Sequence, residues 1–542
     1  MQDLSFHFDN PRFTFHDLTF SVWIYTYENV YGLQAPLAEA QLNENELEVR
    51  SAGLTWAGGQ ESSPGECICR LRRSPQDGSV QVEVRASHTQ KIRCIKLTLH
   101  DRPRLGLLNL RPGPLEAIPD DGLILNYPEA WQEMLTPLLV FTPGPDGRCP
   151  YVRSLDNHVR EKRFALVPRG DGMDVELIWE EDAVRQKRQT VVPAWEIGAV
   201  EQPETIYARH ALWVENAYNL RPWETRRDVP AWARRTALVV ALHMQHYTGY
   251  IFNDYAQALD LVDWFSTQFP AENTIFYLPG WEGRYYWQYG DYRPDERMGG
   301  EAGFAALVNG IQRRGAACMP MFGINVVNKN SPGFEQWGAP SQRIQASGNR
   351  CESSVDWDGS RDYDLGWGAM VNPGAPGWQN RLVEQILSLH ERYQFKGVFL
   401  DISAIWWNDP NFHVYEGTAE LVRRLRSGRD DLLVAGEAWY DAMGAVTPLV
   451  QCGHRSGCMT WPDVPYPPAF DTYCRSFGHL CLGDPGRGST GVHELGYNPT
   501  WQTPLRKGII PTVTVVDGTL EAGRAGVEAI LEQARQYKEK FL

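Results

Sequence analysis

Gly397-Val398-Phe399-Leu400-Asp401 and, further along, Leu432-Leu433-Val434-Ala435-Gly436-Glu437-Ala438-Trp439 are short apolar runs that each deliver a carboxylate at the end. Four or five apolar residues beside Gly read as a strand buried on both faces, which is the pattern of a parallel sheet. Between them, Glu416 to Arg426 (EGTAELVRRLR) has helical spacing. The unit is therefore strand–helix–strand, with one acid at the carboxyl end of each strand. In a (β/α)8 barrel that end carries the chemistry.

Working outward from this unit, strand and helix patterns alternate through everything after Pro230. Strand one is read at Ala237 to Leu242, followed by a helix over Asp254 to Phe269, and strand two at Thr274 to Leu278. A helix over Glu301 to Arg314 leads to strand three, Ala317 to Asn325. A helix over Gln379 to Tyr393 leads to strand four, ending at Asp401, and strand five ends at Glu437. Strands six and seven are read at Cys458 to Trp461 and His479 to Leu482. Strand eight is read at Ile509 to Val516, and a last helix at Gly523 to Tyr537. Such alternation specifies a parallel sheet with helical crossovers. No glycine-rich phosphate turn follows strand one, where His243-Met244-Gln245-His246 stands, so a barrel is preferred to an open dinucleotide-binding sheet.

Residues 1–230 have a different rhythm. Val80, Val82 and Val84 alternate with Gln81, Glu83 and Arg85, and Ile95, Leu97, Leu99 and Met173, Val175, Leu177, Trp179 form further period-two stripes. Gly, Pro, Asn and Asp clusters punctuate them, as expected of an antiparallel β-sandwich. The expected architecture is thus a β-sandwich domain over 1–230 preceding a (β/α)8 barrel over 231–542.

The 542 residues are 43% hydrophobic and 22% charged, as in soluble globular proteins, with a net charge of −15 that opposes a nucleic-acid surface. No apolar run reaches membrane-spanning length, and the opening MQDLSFHFDN lacks a basic-then-apolar leader, so a cytoplasmic protein with no membrane partner is expected. The ten Cys form no disulfide framework or zinc spacing, so neither metal nor cofactor is expected. Twenty Trp is a large number, and several fall in two long connections, 278–300 and 326–372, that leave strand ends on the presumed active face. Flat indoles at such a place suit sugar rings.

Two acids on adjacent strands, about 4.8 Å apart, approach the separation used by retaining glycosidases, ~5–5.5 Å. Burial against Trp439 would raise the pKa of Glu437 and fit it to hold a proton, while Asp401 suits a nucleophile. A strand-four Asp and a strand-five Glu in a GEAW setting resemble the alpha-amylase clan. They are also similar to the endo-alpha-N-acetylgalactosaminidases, in which a large β-sandwich precedes the barrel. The resemblance implies a glycoside hydrolase with Asp401 as nucleophile and Glu437 as acid/base, at a spacing of 437 − 401 = 36 residues. Phe399 stands where the amylase pattern has Arg. The alpha-galactosidase clan has Lys there and takes its acid from strand six, where Asp463 is read.

The expected partner is an oligosaccharide or glycoside, cleaved at an α-linked bond. Residues expected to hold it are Trp281, Glu282, Arg284 and Tyr285 after strand two, Asn325 after strand three, and Trp406 and Trp439 beside the acids. His454, Arg455, Asp463, Arg487, His493 and Glu494 are added from the later loops. Two alternatives stay open: a carbohydrate-binding barrel without turnover, and a metal-dependent barrel hydrolase drawing on His243 and His246.

Overall fold

A computed structural model describes residues 10–110, 113–128, 134–246, 249–284, 287–348, 367–452, 467–478 and 505–542. The chain divides into two compact units, one of residues 1–218 with 408–410, the other of residues 219–407 and 411–542.

The first unit holds two antiparallel sheets, of nine and seven strands. The period-two stripes face inward: Val80, Val82, Val84, Ile95, Leu97, Leu99, Val175, Leu177 and Trp179 are all buried. Phe164 of the larger sheet meets Trp195 of the smaller edge-on at 5.4 Å, so the two inner faces share one core. The stretch Pro203–Ala217, expected among strands, is a helix. Its apolar period is helical, with Ile206, His210 and Val214 buried at every fourth position and Pro203 in the first turn, where its missing N–H is harmless.

The second unit is built around a nearly closed parallel ring: β1 (Leu238–Leu242), β2 (Thr274–Leu278), β3 (Ala317–Gly323), β4 (Gly397–Asp401), β5 (Leu433–Glu437), β6 (Leu449–Gln451), β7 (Arg475–Phe477), β8 (Ile509–Ile510) and β9 (Thr512–Val515). Each pairs with the next from β1 to β8, and β9 pairs back onto β1, with Pro511 alone separating β8 from β9. The helices Tyr255–Gln268, Gly300–Arg313, Pro376–Tyr393, Val414–Arg426 and Arg524–Phe541 fall where the apolar spacing places them. Asp254 and Gln257 close a reciprocal capping box that starts the first of these.

Two strand readings need correction. The ring takes Leu449–Gln451 and Arg475–Phe477 as its sixth and seventh strands, whereas all of Cys458 to Trp461 and of His479 to Leu482 lies outside the described residues. Three-residue strands carry too few apolar positions to stand out from a loop. The step from β5 to β6 also lacks an α-helix and is made by the single-turn Asp441–Ala445.

Tyr277, Phe399 and Phe477, from β2, β4 and β7, meet at centroid distances of 4.6, 5.6 and 6.0 Å and fill the ring interior. Trp281, expected to hold sugar, is instead a core residue with no exposed surface. It stacks on Phe304 at 4.7 Å, and its indole N–H donates to the Met321 carbonyl at 2.8 Å. No helix among the described residues is long and apolar enough to cross a membrane.

Because Trp281 joins the strand layer to the helix Gly300–Arg313, Trp281→Ala should cost about 3–5 kcal/mol of stability by chemical denaturation. A loss below about 1 kcal/mol would contradict its role as a core residue.

Candidate active site

One register level at the carboxyl end of the ring brings the acids together. Gly323 pairs with Asp401, Leu400 with Gly436, Glu437 with Gln451, and Gln451 with Phe477. Since side chains alternate along a strand, Asp401 and Glu437 project from neighbouring strands on the same face as Phe399. Both are nearly enclosed, at 6% and 5% exposure.

The backbone just beyond each acid is unusual. Ile402 has φ 53° and Ala438 φ 60°, both left-handed. For a β-branched residue this conformation costs on the order of 1–2 kcal/mol and persists only where surroundings enforce it. They do so here. Ile402 N–H donates to Glu437 Oε2 at 2.7 Å, and the Asn325 amide donates to the Ile402 carbonyl at 2.7 Å. Ser403 Oγ accepts from Glu437 N–H at 2.9 Å, and Ala404 N–H donates to the Glu437 carbonyl at 3.2 Å. The sharp turn after β4 thus folds residues 402–404 onto the end of β5. Gly436 is needed beneath it, because a Cβ there would lie 2.2 Å from Ser403 Oγ.

The two carboxyl groups are hydrogen-bonded to one another. Burial raises the Asp401 pKa, opposed by hydrogen bonds from Tyr289, whose Oη donates to Oδ2 at 2.8 Å, and from Glu437. Glu437 is driven well above the usual carboxyl range, first by burial, then by the Asp401 charge and their mutual hydrogen bond, with Ile402 N–H opposing. Both pKa values are thus raised, that of Glu437 well above the usual carboxyl range, which sets the two groups apart. That is the division of labour acid–base chemistry needs.

Around the pair stand further buried polar groups. Glu282 is 1% exposed, and neither carboxyl oxygen bonds another residue. Its pKa is pushed well up, by burial first and then by Asp401 and Asp295. Gln245, at the end of β1, has no hydrogen bond on either amide atom, and Gln451 Oε1 at the end of β6 has none. Arg284 lies over Trp287 at 4.9 Å and near Trp367 at 5.9 Å. The Trp406 indole N–H is buried without a partner, and Trp439 packs edge-on against Phe470 at 5.2 Å.

Not every expected residue faces a ligand. Asn325, read as a sugar contact, holds the Ile402 turn, and Trp281 belongs to the core. Trp337, in one of the aromatic loops, stacks on Trp378 at 5.7 Å and ties that loop to a helix. Tyr285, His454, Arg455, Asp463, Arg487, His493 and Glu494 lie outside the described residues. His243 is buried, which pushes its pKa down to about 3, and among the described residues no group of three or more His, Cys, Asp or Glu is placed to hold a metal. The sequence reading missed Tyr289, Gln245 and Gln451. Tyr289 is one aromatic among many in its loop, and glutamine draws no notice until its burial is seen.

Neither a protein-family model nor a curated protein sequence matches the chain. Solved structures do match in fold. The ligand-free alpha-N-acetylgalactosaminidase NagBb from Bifidobacterium bifidum superposes with a TM-score of 0.64 at 14% identity, over 98% of this chain and 92% of that one. Its GalNAc complex gives 0.66 at 14%, over 97% and 90%. The GH36 alpha-galactosidase AgaA from Geobacillus stearothermophilus gives 0.52 at 10%, over 96% and 75%. At these identities the likeness is one of fold: the chain shares the architecture of these barrel proteins nearly from end to end.

Glu437 has a folded pKa above its unfolded one, so its favourable contribution is complete below the unfolded value and disappears as pH rises through the folded value. Glu437→Gln keeps a donor toward Asp401 and has nothing to ionise. Its melting temperature should exceed that of the wild type on the alkaline side, with a flatter pH dependence by scanning calorimetry. Parallel curves for the two proteins would contradict the assignment.

Proposed function

We propose that this protein is a retaining glycoside hydrolase acting on an α-linked sugar by double displacement. The observation that carries the reading is the buried pair of acids at the ends of β4 and β5, with Tyr289 donating to Asp401 and burial driving the pKa of Glu437 well up; in our reading Glu437 holds the proton and Asp401 the charge. Asp401 attacks the anomeric carbon as the bond from that carbon to the glycosidic oxygen breaks; the electron pair goes to the oxygen, which takes the Glu437 proton and leaves as an alcohol. In the second half, Glu437 takes a proton from water, the water oxygen bonds to the anomeric carbon, and the electron pair of the breaking ester bond returns to Asp401. Entry of the sugar has to part the two carboxyl groups, replacing their mutual hydrogen bond with one from Glu437 to the leaving oxygen.

Fold-level likeness to an alpha-N-acetylgalactosaminidase and an alpha-galactosidase supports the hydrolase class and suggests a galactose-type sugar. The alpha-amylase likeness is confined to the two acids and their immediate neighbours. We count β8 and β9 as one strand interrupted at Pro511, making the ring an eight-stranded barrel over residues 231–542 that follows the sandwich of residues 1–230. Glu282, Arg284, Trp406 and Trp439 are proposed to line the sugar site, joined by Gln245 and Gln451. Glu282, whose pKa burial pushes well up, is suited to hydrogen-bond a sugar hydroxyl.

A panel of aryl α-glycosides, including galactoside and N-acetylgalactosaminide, tests the proposal. Wild-type turnover should fall about 10³-fold or more in both Asp401→Asn and Glu437→Gln. Azide should rescue Asp401→Gly and yield a glycosyl azide of inverted configuration. Binding of glycans with no hydrolysis by the wild type would instead establish a carbohydrate-binding barrel.

A further inference from the structure

Tyr289 sits in the connection after β2, and its side chain is 1% exposed. Its hydroxyl reaches Asp401 Oδ2 at 2.8 Å, and its ring lies directly on Gly323. A Cβ at residue 323 would fall 1.9 Å from Cε2 and 2.0 Å from Cδ2 of that ring. Gly323 is the β3 residue paired with Asp401, so the tyrosine occupies the space a side chain would take on the neighbouring strand. The placement is fixed further. Tyr292 Oη accepts from Gly323 N–H at 2.8 Å and donates to its carbonyl at 3.0 Å, while Asn328 N–H donates to the Tyr289 carbonyl at 3.3 Å. Tyr292, Asn328 and one missing side chain are arranged to hold a single hydroxyl against one carboxylate oxygen.

We propose that Tyr289, seated on Gly323, is a positioning residue that serves chiefly the second half of the reaction, when Asp401 leaves the sugar. This rests on the reading of Asp401 as nucleophile. With Oδ2 held by the phenol, Oδ1 is left to attack. As the bond from Oδ1 to the anomeric carbon forms, the carboxylate loses charge and its hydrogen bond to Tyr289 weakens. In the covalent ester, Oδ2 becomes the carbonyl oxygen. When water displaces the ester, the electron pair of the breaking bond returns to Asp401, charge reappears on Oδ2 and the hydrogen bond strengthens. A donor whose bond strengthens in the transition state accelerates that step. The same donor gives little to the first half, where the charge it stabilises is being consumed.

Tyr289→Phe removes one oxygen atom and leaves the ring in place. With an aryl glycoside carrying a good leaving group, its kcat should drop on the order of 10–100-fold, the scale of one hydrogen bond to a charged group. Its kcat/KM should change far less, KM should fall, and a burst of one equivalent of phenol should precede the slow steady state. Gly323→Ala displaces the ring and should show the same split, and the double variant should be no slower than the slower single one. Equal falls in kcat and kcat/KM without a burst, additive losses in the double variant, or failure of Tyr289→Phe to fold would each overturn the proposal. Inverted product from the wild type would instead refute the double-displacement reading on which it stands.

Discussion

The hydrogen bond between Asp401 and Glu437 concentrates two ionisable groups where water hardly reaches. Two buried carboxylates cannot both stay charged at such a distance, so a proton is retained, and the surroundings decide which residue keeps it. Tyr289 donates to Asp401 and stabilises its charge. Ile402 N–H reaches Glu437, but burial and the neighbouring charge outweigh it. An arrangement of this kind opposes stability and has to be held together by the fold around it.

The holding is visible in the backbone. Left-handed turns at Ile402 and Ala438 follow the two acids directly, and Asn325, Ser403 and Gln451 fasten them by hydrogen bonds. Small residues stand beneath: Gly323 admits the Tyr289 ring and Gly436 admits Ser403. Strands β3 to β6 thus act as a rigid floor on which one level of side chains is aligned. Rigid elements place reacting groups more closely than loops do, and the hydrogen-bonded ladder from β3 to β6 is continuous through that level.

Much of this could be read from residues alone because parallel strands leave a strong signature. GVFLD and LLVAGEAW are apolar on both faces, so their strand character and the place of each acid at a strand end follow from burial. The stripes at Val80–Val84 and Met173–Trp179 are equally plain, since one face of each is buried. Other features depend on tertiary packing that no local pattern carries. Leu449–Gln451 and Arg475–Phe477 are strands only because their neighbours supply the ladder. Trp281 looks like other loop aromatics until the helix Gly300–Arg313 closes over it. Tyr289 and Asn325 matter through partners distant in sequence, Asp401 and Ile402.

The central claim is that Asp401 forms a covalent bond to the sugar while Glu437 manages the proton. Trapping with a fluorinated glycosyl fluoride, followed by peptide mapping in a mass spectrometer, addresses it most directly. The account predicts one sugar equivalent attached to the peptide bearing Asp401, with loss of activity in step with labelling. Label on Glu437 or Glu282, or steady turnover of the reagent with no adduct, would contradict it.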